Sequence, residues 1–202
     1  MAKKIITISR EFGSGGRSIG KKLADRLGVP YYDKELINKV ADETGFDEKF
    51  IEEEGEYAPN KSFLAYAFAY AGPQRGIMDG LSTADYLWLA QRKVILNLAK
   101  EGPCVIVGRC ADFILKDEPD AFHVFVCADE DYKEERIVRL YGETQMPPKE
   151  RLKDKDDRRR VNYKHFTGRE WGRCQNYDIS LNSSAVGEDV CVDILEQIIK
   201  NS

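Results

Sequence analysis

Apolar residues recur along this chain with two periods, and the places where one gives way to the other mark its elements. Ile5, Ile6 and Ile8 form a short run that reads as a buried strand, and Gly13, Gly15 and Gly16 after it let the backbone turn without a Cβ clash. Ile19, Leu23, Ala24 and Leu27 then fall at helical spacing, with Lys21, Lys22, Asp25 and Arg26 on the opposite face and Gly28 as the C-terminal stop. Val29–Asp33 reads as a short strand ending on an acid, which is either the N-cap of a helix over Lys34–Glu43 or a ligand-facing carboxylate. From Lys34 to Lys100 the pattern is helical and no convincing strand interrupts it. Within it Glu52–Glu54 marks a solvated face, and Phe63–Tyr70, closed by Gly72-Pro73, is dense in aromatics that suit packing on a helix or a partner subunit. A last helix carries Tyr86, Leu87, Leu89, Ala90, Val94, Ile95 and Leu98 and runs to the Gly102-Pro103 break.

Cys104–Val107 and Phe122–Cys127 are continuous apolar runs of the kind that strands buried on both faces show. Helical spacing resumes over Asp129–Tyr141, Tyr177–Asn182 supplies another strand, and Val190–Ile199 an amphipathic helix. Strands that alternate with helices imply right-handed crossovers and a parallel sheet covered on both faces. Between the last two strands, Gly142–Arg173 is rich in charge and poor in aliphatics: Lys153, Lys155, Arg158, Arg159, Arg160, Lys164, Arg169 and Arg173 interleave with Asp154, Asp156 and Asp157. Such a run is either a solvated helical face or a mobile basic flap that closes over developing negative charge. His123 and His165 are the two histidines, and neither sits in a metal-ligand spacing.

Length and composition narrow the picture. At 202 residues the chain is one domain by length and buries ~70% of its unfolded surface. Its five cysteines, Cys104, Cys110, Cys127, Cys174 and Cys191, are scattered without a zinc or disulfide spacing, which points to a reducing cytoplasm. The opening Met1–Lys4 leads into too short an apolar run for a signal peptide, and no stretch is long enough to span a bilayer. A net charge of -4 argues against a nucleic-acid coat while permitting a local basic patch.

The glycine turn after the first strand carries the candidate chemistry. Helix N-termini expose amide N–H groups and a positive dipole end, so a phosphate is their natural occupant. Against the Walker A pattern G-x-x-x-x-G-K-[ST], Gly16-Arg17-Ser18 takes the G-K-S end, Glu11 stands where the first glycine belongs, and Arg17 replaces the lysine. Two other readings remain open here: a turn with no ligand, and a dinucleotide fold, for which Gly13-x-Gly15 and Asp33 are suitably placed but Ser18 replaces the third glycine.

Together these segments resemble the cytidylate kinases, and more closely the cytidylate-kinase-like branch of the nucleoside monophosphate kinase superfamily. The likeness rests on Ile6-Thr7-Ile8 with the glycine loop, on Tyr32-Asp33, on Gly108-Arg109 as the start of a Gly-Arg-Asp motif, and on Glu135-Arg136 with Arg139 followed by Asp156-Asp157-Arg158-x-Arg160. It implies a P-loop α/β/α fold of three layers with a five-stranded parallel sheet. The core would comprise residues 1–33, 101–141 and 174–202, with a helical substrate-binding insertion over 34–100 and a basic lid over 142–173. It also implies ATP and Mg2+ as cofactors and a small nucleotide, CMP-like, as acceptor. Gly13, Ser14, Gly15, Gly16, Arg17 and Ser18 would bind the donor, with Ser18 on the metal. Asp33, Arg109, Asp112 and Arg159 would face the acceptor, and Arg17, Arg136, Arg158 and Arg160 the transferring group. The chain departs from the family pattern at several points. An ungapped comparison puts Gly16 on the Walker lysine and Ser18 on its threonine, Val107 on an acid near magnesium, Cys110 on the acid of Gly-Arg-Asp with Asp112 the nearest substitute, and Arg159 on a cytosine-contacting acid. Those losses leave a nucleotide-binding sensor without phosphotransfer as the alternative. A homo-oligomer contact is expected through the aromatic segment Phe63–Tyr70.

Overall fold

The computed structural model describes residues 4–54 and 82–201. The aromatic segment Phe63–Tyr70, and with it the expected subunit contact, lies outside the described residues. The centre of the molecule is β1 (Ile5–Arg10), every residue of which is buried. It pairs in parallel with β3 (Cys104–Val107) from Ile5↔Cys104 to Ile8↔Val107, and with β4 (Ala121–Cys127) from Ile5↔Ala121 to Arg10↔Val126. Outside these lie β2 (Tyr31–Tyr32) on β3 and β5 (Ile179–Asn182) on β4, giving a five-stranded parallel sheet of order β2-β3-β1-β4-β5. A dinucleotide fold places its second strand beside its first. Here β3 holds that place, so the dinucleotide reading is set aside.

Strand alternation sorts the core into two layers. Ile6 and Ile8 face Ile19 and Leu23 of α1 (Gly16–Leu27) and Val192 and Leu195 of the C-terminal helix, Glu188–Asn201. Ile5 and Ile106 face the other way, onto α2 (Lys34–Thr44), α3 (Glu48–Glu54) and α4 (Thr83–Glu101). The described part of the region 34–100 is thus helical. Gly28 caps α1 in the left-handed conformation, its amide bonding back to Ala24 and Asp25, as the spacing predicted. The strand expected over Val29–Asp33 shrinks to two residues because Val29 N–H is spent on the α1 end, on Ala24 O, and Pro30 has no N–H to give.

Three short pieces escaped the periodic reading: α5 (Ala111–Ile114), a 3-10 turn at Cys174–Asn176, and α8 (Ser183–Val186). After β4 come α6 (Glu130–Tyr141) and α7 (Pro148–Thr167), and the chain ends in α9 (Glu188–Asn201). The charged segment is therefore one long helix, α7, and it is docked. Leu152, Asp156, Arg159, Asn162 and Tyr163 are buried along one face at helical spacing. Trp88 of α4 stacks on Phe166 at 4.6 Å and so joins the helical insertion to α7. All five cysteines are free. No helix among the described residues is long and apolar enough to cross a membrane.

Candidate active site at the carboxyl ends of the central strands

β1 ends at Arg10, Glu11 N–H still bonds Val126 O at 3.0 Å, and the chain then turns through Phe12–Gly15 into α1. The turn needs left-handed backbone at Gly13 (φ 84) and at Gly15 (φ 82), the N-cap of α1. It is held from inside by Ser14 Oγ, which donates to Glu11 O at 2.9 Å, and from outside by Ser183 Oγ, which donates to Ser14 O at 2.6 Å. Among the described residues, the amides of Gly13, Gly15, Gly16 and Ser18 donate to no protein acceptor, and α1 has no acid in its first turn. Convergent unpaired N–H groups at a helix N-terminus form an anion-binding cradle, and the loop fits phosphate on that ground.

A ring of charged side chains surrounds the loop. Arg17 does not curl back over it: Nε lies 3.1 Å from Asp33 Oδ2 at the end of β2, and Tyr31 OH donates to Arg17 O at 3.3 Å. Asp33 holds the N-cap position of α2, yet its side chain makes no capping bond there. Lys133 of α6, nearly buried, reaches Glu11 Oε2 at 2.7 Å, and the same oxygen accepts from Ala128 N–H. Arg136 is buried too, Nε donating to Glu188 Oε1 at 2.9 Å and Nη2 to Ser18 Oγ at 2.8 Å. The hydroxyl expected to hold magnesium thus already receives a cationic donor. A divalent ion at Ser18 and Arg136 at that oxygen exclude one another, so the residues in this arrangement do not fit the metal. On the α7 side, Asp156 Oδ1 accepts from Phe12 N–H at 2.8 Å and from Arg159 Nη1 at 3.2 Å, and burial pushes its carboxyl above the usual range.

Beside the loop, between the carboxyl ends of β1 and β3 and the buried face of α7, lies a small, partly open cleft lined by Ser9, Arg10, Arg109, Arg159, Asn162 and Tyr163 among others. Arg109 and Cys110 have positive φ, 57° and 54°, a conformation non-glycine residues rarely hold. The strained turn aims Arg109 at the helical insertion, where Nη1 donates to Ile51 O at 2.6 Å and to Gln91 Oε1 at 2.9 Å. Asp112 lies under the cleft, accepting from Ser9 Oγ at 3.3 Å and Tyr163 OH at 2.6 Å; desolvation raises its carboxyl to about 6, against the pull of those donors. The same burial and the neighbouring Asp112 push the Tyr163 phenol up.

The structure therefore puts Arg136 on Ser18 of the loop, Arg109 and Arg159 in the lining of the cleft with Asp112 behind it on Ser9 and Tyr163, and Arg17 on Asp33 at the end of β2. Arg158 is half-buried on α7. Arg160 is exposed, paired with Asp157 and lying over the Trp171 ring, on the outer side of the helix. Sequence reasoning missed Arg10, Lys133, Asn162, Tyr163 and Glu188. Asn162 and Tyr163 were within reach, being three and four residues beyond Arg159 on one helix face. Glu188 offered no local signal.

The fold has known counterparts. The solved structure of an uncharacterized protein from Eubacterium ventriosum ATCC 27560 superposes with a TM-score of 0.72 at 27% identity, covering 98% of this chain and 99% of that one. Shikimate kinase from Acinetobacter baumannii in complex with shikimate gives 0.54 at 15% identity, covering 98% and 94%. A gluconokinase from Sinorhizobium meliloti 1021 gives 0.54 at 16%, covering 98% and 93%. The last two establish a shared P-loop kinase fold and nothing finer. Among curated proteins no sequence matches. The family model described as "Cytidylate kinase-like family" matches residues 5–185, nearly the whole chain, and on that extent the protein belongs to the cytidylate kinase-like family.

Proposed function

We propose that the protein is an ATP-dependent phosphotransferase acting on a small anionic acceptor of the nucleoside monophosphate class. The observation that carries this reading is the adjacency of two anion-suited hollows. The amide cradle of Gly13–Ser18 lies at one end of β1, and the arginine-lined cleft opens between the loop, β3 and α7. The cradle takes the donor phosphates. Arg109 and Arg159 hold the acceptor's charge, and the face of α7 roofs both, excluding water. The acceptor oxygen attacks the γ-phosphorus, the bond to the bridging β,γ-oxygen breaks, and ADP leaves. Positioning and fixed positive charge suffice for such a transfer, with no covalent intermediate. Arg136 stands beside the loop, Arg158 on the lid helix, and Asp33 with Arg17 at the edge of the acceptor side. A magnesium ion escorting the donor would have to displace Arg136 from Ser18.

One observation favours a second reading, a nucleotide sensor without turnover: Phe12 N–H and Ser18 Oγ both already have charged partners, Asp156 and Arg136. A coupled assay of ADP release separates the two, run over nucleoside monophosphates together with shikimate and gluconate, beside thermal shifts with ATP and magnesium. The kinase reading expects acceptor-dependent release with at least one monophosphate. ATP binding with no acceptor-dependent release across the panel refutes it in favour of the sensor.

A further inference from the structure

Two residues of α6, three apart and so on one face of the helix, bring their charges to the loop. Lys133 goes to Glu11 at its start, and Arg136 to Ser18 in the first turn of α1. Arg136 is 8% exposed, and its guanidinium spans two oxygens, Nε donating to Glu188 Oε1 at 2.9 Å and Nη2 to Ser18 Oγ at 2.8 Å. Among the described residues these are its hydrogen bonds, so two of its five N–H groups are spent and Nη1 keeps both of its own. The two anchors are fixed in turn. Glu188 opens α9 and leans on Gly15, where a built Cβ would lie 2.7 Å from Oε1. Ser18 lends its own amide to the cradle, so a cation on its hydroxyl stands beside whatever anion the cradle holds. The acids around the loop each already hold a cation: Glu11 holds Lys133, Asp33 holds Arg17, Asp156 holds Arg159 and Glu188 holds Arg136.

We propose that Arg136 is the built-in cation of the donor site, standing at Ser18 where a divalent ion would sit, so that the loop binds a nucleoside triphosphate without metal. This rests on the donor-site reading given above. A guanidinium and a divalent ion at the same hydroxyl would stand side by side, where like charges repel. Moving Arg136 aside would also leave the Glu188 carboxylate to Lys22, whose Nζ is 4.0 Å from Oε2. The exchange has a geometric consequence. A metal ion gathers oxygens around a point, whereas the planar fork of an arginine presents parallel N–H groups to two phosphate oxygens at once, from a position that Glu188 has already set.

The test is calorimetric titration of the full chain with ATP at constant ionic strength, once with excess magnesium and once with EDTA. Wild type is expected to gain no more than about threefold in affinity from magnesium, less than one charge-assisted contact is worth. Arg136→Met keeps the stem and removes the charge. It is expected to bind ATP in EDTA about ten- to hundredfold more weakly, the size of one such contact, and to recover most of that loss in magnesium, because Ser18 Oγ and the Glu188 carboxylate are then uncovered. Arg136→Met with Glu188→Gln removes the uncovered carboxylate and is expected to show the same loss in EDTA; melting temperatures of both variants report whether they fold, and the wild-type comparison needs neither. A larger gain from magnesium in wild type, variants that keep their affinity in EDTA, or an Arg136→Met chain that magnesium does not improve would overturn the assignment. If wild type binds neither ATP nor inorganic tripolyphosphate in either condition, the donor site itself is refuted and Arg136 falls with it; ATP binding that requires magnesium leaves the donor site standing and refutes Arg136 alone.

Discussion

Asp112 is the most heavily desolvated acid under the cleft, and its substitution by asparagine carries a calculable pH signature. Its carboxyl titrates near 6 in the folded protein against an ordinary 3.8, because burial outweighs the hydrogen bonds from Tyr163 and Ser9. Below about pH 3.8 both folded and unfolded chains hold the proton, and the site contributes nothing to pH dependence. As pH rises from there, the unfolded chain ionises first while the folded one keeps its proton, so stability falls until the folded group also ionises near 6. A gap of that size corresponds to roughly 3 kcal/mol, lost mostly between pH 4 and 6.5 and flat above. Asparagine keeps the shape and one acceptor for Tyr163 but cannot ionise. The expected outcome is that the stability of wild type relative to Asp112→Asn, measured by urea denaturation, drops by roughly 2–3 kcal/mol between pH 4 and pH 7.5. A difference independent of pH would refute the desolvated, late-ionising carboxyl. A difference that grows in favour of wild type at high pH would mean that the hydrogen bonds dominate.

Other substitutions test the surroundings. Asp156→Ala takes the carboxylate from Arg159 and the acceptor from the Phe12 amide, and should cost roughly 3 kcal/mol by urea denaturation; a loss below about 1 kcal/mol would show that α7 does not rest on this pair. Gly13→Ala meets both the left-handed backbone and Lys133 at 3.0 Å, and should lower the melting temperature by about 4–8 °C, whereas Gly28→Ala, with equal handedness but open space, should lower it by about half that. Equal losses at the two glycines would deny the close approach of α6. Arg159→Ala should reduce acceptor-dependent ADP release by roughly ten- to a thousandfold, and an unchanged rate would remove Arg159 from the acceptor cleft.

Much of the fold was legible because period and burial agree. Cys104–Val107 reads as apolar throughout and is buried throughout, and Ile19, Leu23 and Ala24 face the sheet as their spacing required. Where the reading fell short, the controlling contact lay far away in sequence. The docked face of α7 is built from Asp156, Arg159, Asn162 and Tyr163, whose polarity matches a solvated helix, and only their partners Phe12, Arg10 and Asp112 make burial tolerable. Arg17 looked like a lysine substitute by position, yet α1 begins at Gly16 and turns Arg17 toward Asp33. Asp33 in turn makes no capping bond, being held by that arginine.

The loop's departures from the standard pattern and the charges that surround it are a single feature. Each of its three glycines is pressed by a charged residue from another element: Gly13 by Lys133 of α6, Gly15 by the Glu188 carboxylate of α9, and Gly16 by Arg10 of β1. A glycine at such a point does two things, since it permits the turn and admits the neighbour. A larger residue at position 16 would therefore collide with the stem of Arg10. Residue identity inside the loop is thus constrained by what leans on it from outside, a constraint that a motif comparison confined to the loop does not see.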